Sequence, residues 1–201
     1  MKLSSRLLIL TFVSLLPLPA LANEARQHDT GFFLRLAPGF GSFSTKAEDG
    51  GDSLKFSGPA GTFDAAVGFV IKPNLALHAN VGAWSTLDPK VTINGTEFES
   101  DDLSVTLTMV GVGVTYYLGE SNTYLTANVG LGTLSAEFDG DEADTGGGFA
   151  IELGAGKEWW LGNKFGLGAG AAFNYHSVPD DDIDASFKGA SFGVRLTATF
   201  N

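Results

Sequence analysis

Gly31-Phe32-Phe33-Leu34-Arg35-Leu36-Ala37-Pro38-Gly39-Phe40-Gly41 is the stretch that decides the fold. In an extended chain Phe32, Leu34, Leu36, Pro38 and Phe40 share one face, and Phe33, Arg35, Ala37, Gly39 and Gly41 share the other. That period of two recurs three times. Phe63, Ala65, Val67, Phe69 and Ile71 alternate with Asp64, Ala66, Gly68 and Val70. Leu75, Leu77, Ala79, Val81 and Ala83 alternate with Ala76, His78, Asn80, Gly82 and Trp84. Ala190, Phe192, Val194, Leu196, Ala198 and Phe200 alternate with Ser191, Gly193, Arg195, Thr197 and Thr199. Four more segments read as strands with less regular alternation: Leu103 to Leu118, Tyr124 to Phe138, Phe149 to Leu161, and Phe165 to His176. In the first of these the apolar parity changes between Met109 and Val110, and a β-bulge near Met109 reconciles the two halves.

The connections alternate in length along the chain. Long stretches at 44–57, 86–102, 139–147 and 177–188 are separated by tight turns at Lys72-Pro73-Asn74, Gly119 to Asn122 and Gly162-Asn163. Seven connections join eight strands. The pattern predicts an all-β chain, an eight-stranded antiparallel up-and-down transmembrane β-barrel with both termini at the short-turn end. Its 201 residues fit a single domain from residue 31 to 201.

Alternation alone does not say which face meets lipid, and a water-soluble barrel with an apolar cavity would show the same period. The second face decides. It carries Gly, Ala, Ser, Thr and Asn, with Arg35, Asp64, His78, Glu152 and Arg195 as its charged or titratable members. A surface in water carries roughly a quarter to a third charged residues. Small polar residues instead suit the interior of a narrow barrel. A strand of about 11 residues at ~3.3 Å each, tilted ~40°, rises ~28 Å, close to the ~25 Å apolar band of an outer-membrane barrel. Tyr116, Tyr117, Tyr124, Trp159, Trp160 and Phe165 gather beside two of the short turns, as an interfacial aromatic girdle would.

Residues 1–22 read as a secretory signal: Lys2 and Arg6, the apolar run Leu7 to Leu18, then Ala20-Leu21-Ala22 as a small-x-small cleavage site. The apolar run is too short for the roughly 20 residues of a membrane helix. Residues 23–30 are then a short N-terminal segment on the periplasmic side. The formal charge of the whole chain is -11, and losing Lys2 and Arg6 leaves 10 basic residues against 23 acidic ones. Such acidity argues against nucleic acid, whose phosphates need a basic face. The absence of cysteine excludes a disulfide framework, a thiolate metal site and a cysteine nucleophile.

The opening stretch, the central Gly156-Lys157-Glu158-Trp159-Trp160 and the closing strand together resemble the small outer-membrane β-barrel proteins of Gram-negative bacteria, of OmpA or OmpX type. In the closing strand Ser191, Gly193, Leu196, Ala198 and Phe200 resemble the signal that the outer-membrane assembly machinery recognises, with Asn201 following the terminal aromatic. The resemblance spans residues 31 to 201. It implies a monomeric barrel in the outer membrane, in contact with lipid and lipopolysaccharide, and speaks to fold and location much more than to activity.

Within the barrel the first and eighth strands are neighbours, which sets Arg35 and Arg195 on adjacent walls. Asp64 and Glu152 supply the carboxylates that two buried guanidinium groups require, and the four are expected to form a lumen ion network. An eight-stranded interior is nearly filled by side chains, so a plug is favoured over a charged constriction in a channel. A nucleophile and base could come from His176 and Ser177, or from His78 with Asp64. Adjacent strand residues point to opposite faces, which separates the first pair. The remote alternative of an outer-leaflet lipid-modifying enzyme lacks its residues.

Acidic residues collect in the long connections, which with Glu137 at a strand edge hold 17 of the 23. Asp180, Asp182 and Asp184 have the first three ligand spacings of a calcium loop, but Ala185 stands where glycine is required and Ser191 where glutamate is. No cofactor and no protein-held metal is expected. A divalent cation bridging these carboxylates to lipopolysaccharide is a possible partner contact. The leading expectation is a structural, envelope-integrity or surface-adhesive protein working through four acidic outward loops. The alternative is a narrow channel for small solutes.

Overall fold

The computed structural model describes residues 28–180 and 185–201. The signal segment 1–22 and residues 23–27 lie outside the described residues, as do Asp181, Asp182 and Asp184. Eight long strands make the barrel: β1 (Gly31–Asp49), β2 (Asp52–Lys72), β3 (Leu75–Leu87), β4 (Leu103–Leu118), β5 (Thr123–Phe138), β6 (Gly148–Trp160), β7 (Phe165–Asp180) and β8 (Ala185–Phe200). Each pairs antiparallel with its neighbours in the chain. β8 returns to β1 through Leu34↔Phe200, Gly39↔Arg195 and Thr45↔Gly189, so the ring is closed. Closure satisfies every strand edge within the ring, which is what allows strands to cross lipid.

The strands are much longer than the alternation suggests. β1 and β2 pair without interruption to Asp49↔Asp52, and what reads as a long connection over 44–57 shrinks to Gly50-Gly51. Both glycines have positive φ, +55° and +104°, as a two-residue hairpin turn demands. The 86–102 connection contains a hairpin, Lys90–Ile93 with Thr96–Phe98, that adds to the upper part of β2 through Leu54↔Ile93 and Ser57↔Lys90. In the 139–147 connection the strand Asp141–Asp144 folds back on β5. β7 runs to Asp180 and β8 starts at Ala185, so most of 177–188 is strand as well. The 21 residues of β2, tilted ~40°, rise about 50 Å, roughly twice the apolar band.

The bulge expected near Met109 is absent. β4 pairs in unbroken register with β3 from Leu75↔Tyr116 to Leu87↔Ser104, and with β5 from Leu103↔Phe138 to Leu118↔Thr123. Val105, Leu107 and Met109 point inward and are buried, whereas Val110 and Val112 point outward and are more than half exposed. The change of apolar parity is therefore a change of environment. Towards the long connections the barrel turns its apolar side chains in, and towards the termini it turns them out. The upper interior is an apolar core built from Phe43, Trp84, Leu107, Leu134, Val178 and Phe187. The lower exterior is a continuous exposed belt that includes Phe40, Phe69, Val112, Leu131 and Leu196. A belt of that size does not face water, which excludes the soluble-barrel alternative.

Candidate functional site

The lumen holds the charged residues in two clusters, one above the other. In the upper cluster Arg195, from β8, grips Glu152, from β6. Its Nη1 and Nη2 donate to the two carboxylate oxygens at 2.6 and 2.8 Å, and its Nε donates to Thr62 at 2.9 Å. Trp84 donates its indole N–H to Glu152 Oε2 at 3.1 Å and lies against the guanidinium, 5.2 Å from ring centroid to Cζ. The bidentate pair thus bridges the lumen from wall to wall, and all four side chains are buried. Such a pair is held in place because removing either partner strands the other charge.

The lower cluster is centred on Arg35 of β1. Its Nε lies 3.4 Å from Glu158 Oε1, and its Nη2 donates to the Tyr117 hydroxyl at 2.7 Å. The Tyr117 hydroxyl in turn donates a hydrogen bond to Glu158 Oε2 at 3.1 Å, and Thr199 donates to Oε1 at 2.8 Å. The Tyr124 ring lies under the guanidinium at 4.3 Å, a distance that suits a cation–π contact. Glycines make room for that ring, since a Cβ at Gly156 or Gly170 would overlap the Tyr124 hydroxyl.

Below this, the segment leading into β1 closes the barrel end. His28 exchanges backbone hydrogen bonds with Asn74, its N–H donating to Oδ1 and its carbonyl accepting from the Asn74 N–H, both at 3.0 Å. Its imidazole stacks on Tyr117 at 3.5 Å and approaches Glu158 Oε2 at 3.9 Å. At the same end Asn201 Nδ2 donates to the carbonyls of Asp29 and Phe32 at 3.1 Å each, tying the last residue to the start of β1.

Arg35, Asp64, Glu152 and Arg195 all face the lumen and line one cavity of about 20 Å³ between the clusters. They do not form a single network. Arg195 takes Glu152, while Arg35 takes Glu158. Asp64 accepts a hydrogen bond from Asn80 at 3.1 Å. Glu158 escapes the sequence reading because Trp159 and Trp160 mark its neighbourhood as interfacial. Parity finds it, because residues 152 and 158 fall on the same face of β6. Parity also corrects the aromatic girdle. Tyr116, Trp159 and Phe165 are exposed on the outside, but Tyr117 and Tyr124 are buried inside. Trp160 is half-buried and lies 4.7 Å from the His28 ring.

The residues considered for catalysis are engaged elsewhere. His176 points into the upper core, within 2.9 Å of Thr45 Oγ1 and 3.4 Å of Asn174 Oδ1, and Ser177 faces the other way. His78 lies 3.0 Å from Thr115 Oγ1, not against Asp64. Of the closing-strand residues, Ser191 and Gly193 face inward, and Leu196 and Phe200 outward with Ala198 half-exposed between them. Among the described residues no three acidic or histidine side chains converge to hold a metal ion.

A family model described as outer membrane protein beta-barrel domain matches residues 8–200. The chain belongs to this family. Membership places it in the outer membrane of a Gram-negative bacterium. Solved structures similar to it include three bacterial surface or outer-membrane proteins. Neisserial surface protein A is 17% identical with a TM-score of 0.52, over 83% of this chain and 98% of that one. Ail, the attachment invasion locus protein of Yersinia pestis, is 14% identical with a TM-score of 0.44, over 85% of this chain and 99% of that one. OprG of Pseudomonas aeruginosa is 12% identical with a TM-score of 0.46, over 87% and 98%. The likeness to the Neisserial protein is one of fold. No curated protein matches the chain by sequence.

Proposed function

We propose that this outer-membrane barrel is a non-conducting, non-enzymatic surface protein. Its termini are periplasmic, and its long connections present an acidic rim to the outside. The observation that carries the reading is the occupied lumen. Two arginine–carboxylate clusters span it, and the gap between them is about 20 Å³, room for about one or two water molecules. Above them Phe43, Leu107 and Leu134 fill the centre of the upper lumen, with the buried His176, Thr45 and Asn174 hydrogen-bonded among themselves, and below them His28 stops the lower end. A continuous water path through the barrel would have to break both ion clusters.

The acidic residues support the orientation. Glu48, Asp49, Asp52, Asp88, Glu97, Asp139 and Glu142 are all exposed at the end away from the termini. A barrel exported through the periplasm and assembled from its closing strand keeps its short turns on the periplasmic side. The surface role is structural or adhesive, with these connections as the contact surface. Planar-bilayer recording of the purified barrel tests the reading. No discrete single-channel steps are expected, and steps whose size changes in Arg35→Ala or Arg195→Ala would overturn it.

A further inference from the structure

Basic residues at the upper end are few, and they are not scattered. Lys46, Lys55, Lys90 and Lys188 are the only lysines or arginines between residues 40 and 60, 80 and 105, or 180 and 190. Strand pairing brings them together. Lys46 is directly opposite Lys188 on β8 and directly opposite Lys55 on β2. Lys90 pairs with Ser57, two residues from Lys55 on the same face. Their parity on each strand is that of the lipid-facing residues lower down: Phe40 for Lys46, Phe63 for Lys55, Phe192 for Lys188. The four ammonium groups therefore form one row on the outside of the barrel wall.

Like charges directly opposite one another on adjacent strands destabilise a sheet, so three lysines in one ladder row ask for an anion. Among the described residues carboxylates answer only in part. Lys46 pairs with Glu48, two residues nearer the turn, and Lys90 pairs with Glu97 at 2.5 Å. The Glu48 carboxyl is held below its usual range by the hydrogen bond from Lys46 and by that residue's charge, with a further contribution from Lys188. Glu97 lies at the end of the row itself, opposite Thr92, which pairs with Lys55, and Glu48 lies on the side of the row away from the membrane. The side towards it carries Ser42, Ser44, Ser57 and Ala190, small residues that form a shelf between the lysines and the belt. Lys188 stands four residues beyond Phe192 and Lys46 six beyond Phe40, which is roughly 10–15 Å along the barrel axis. That height is outside the hydrocarbon, at the level of headgroups and the first sugars attached to them.

We propose that the Lys188–Lys46–Lys55–Lys90 row is a binding site for the phosphorylated, carboxylated sugar headgroup of outer-leaflet lipopolysaccharide, held directly by ammonium–phosphate contacts. The site rests on the orientation proposed above, because only long connections that face outward meet that leaflet. Such contacts weaken with salt and need no divalent cation. The row lies on the flank of the barrel, so the same molecule carries a cationic side towards its own membrane and an acidic rim towards the medium.

The experiment titrates detergent-solubilised, folded full-length barrel with purified lipopolysaccharide, intact or with its phosphates removed, in the presence of a chelator. The intact lipid should bind, with affinity falling as salt rises, and the dephosphorylated form should bind at least tenfold more weakly. Lys46→Gln, Lys55→Gln and Lys188→Gln together should cost tenfold or more, whereas the corresponding Lys→Arg triple should retain binding. Lys72→Gln, Lys157→Gln and Lys164→Gln at the other end should change little. The Gln triple should keep its heat-modifiable gel shift, showing that it folds. Unchanged affinity in the Gln triple, equal loss in the lower-end control, or loss of binding on chelation would each overturn the site. Equal affinity for a soluble sulfated polysaccharide would overturn the assignment to a membrane lipid. Orientation is read separately, by labelling Asp49→Cys on intact cells with an impermeant maleimide. No labelling there would sink the orientation whatever the lipid titration shows.

Discussion

Between Phe32 and Phe40, β1 turns Phe32, Leu34, Leu36 and Phe40 outward and holds Phe33 and Arg35 inside. Between Phe43 and Ala47 the same strand turns Ser44 and Lys46 outward and holds Phe43 and Ala47 inside. The backbone is continuous across the boundary, and the pleat never changes hand. What changes is the solvent on the outside, and the side-chain chemistry follows it. The lower half resembles a membrane protein, with hydrocarbon outside and an interior that holds two ion clusters beside a small buried group of Phe33, Val70, Tyr117 and Tyr124. The upper half resembles a small soluble β-barrel, with a largely apolar core and small polar or charged side chains such as Ser44 and Lys46 on the outside. A barrel whose longest strand is about twice as tall as the bilayer's apolar band must solve both problems with one set of strands.

The comparison is broken most severely at the charged floor between the halves. Glu152→Ala should destabilise the folded barrel by about 3–5 kcal/mol, because it leaves Arg195 buried without its partner. Replacing both, with Glu152→Leu and Arg195→Met, should recover much of that loss. Urea unfolding from lipid vesicles measures both. In the upper half Leu107→Ala should cost about 2–5 kcal/mol by the same measurement, the range of a fully buried leucine in a well-packed core. A comparable change at the outward Leu131, whose contacts are with lipid, should cost much less.

The next contrast stays on one strand and one face. Val112→Arg sets a charge in the middle of the apolar belt and should cost about 2–4 kcal/mol. Thr106→Arg, six residues further along the same face, should stay within about 0.5 kcal/mol of the parent. Equal penalties at the two sites would place the membrane boundary elsewhere. Gly170→Ala, which crowds the Tyr124 hydroxyl, should cost about 1–3 kcal/mol by overpacking the lower lumen.

The lower half is legible in the sequence because lipid imposes a strict code. Phe32 to Phe40 and Ala190 to Phe200 alternate so regularly that strand, face and count follow, and with them the barrel. The upper half escapes the same reading. Once the strands leave the lipid, polar residues such as Ser42, Ser44 and Lys46 take the outward face and the alternation inverts, so strand reads as loop over 44–57. On β4 that inversion mimics a bulge at Met109. The lumen was legible as a set of charges but not as pairs, since parity assigns Arg35 and Glu158 to the interior without saying which residues lie level with each other. That depends on the stagger of the strands, which brings Arg35 of β1 beside Glu158 of β6. The lysine row depends on register in the same way, and becomes visible only once Lys46 is found opposite both Lys55 and Lys188.

The division of the barrel into a lipid-clad half and a free-standing half can be read directly, because the chain has no cysteine of its own. Single nitroxide labels introduced at the outward β4 positions 104, 106, 110, 112 and 114 in reconstituted protein report exposure to oxygen against a water-soluble nickel complex. Oxygen exposure should dominate at 110, 112 and 114 and give way to the nickel complex at 104 and 106. Hydrocarbon-like exposure at all five positions would contradict the account.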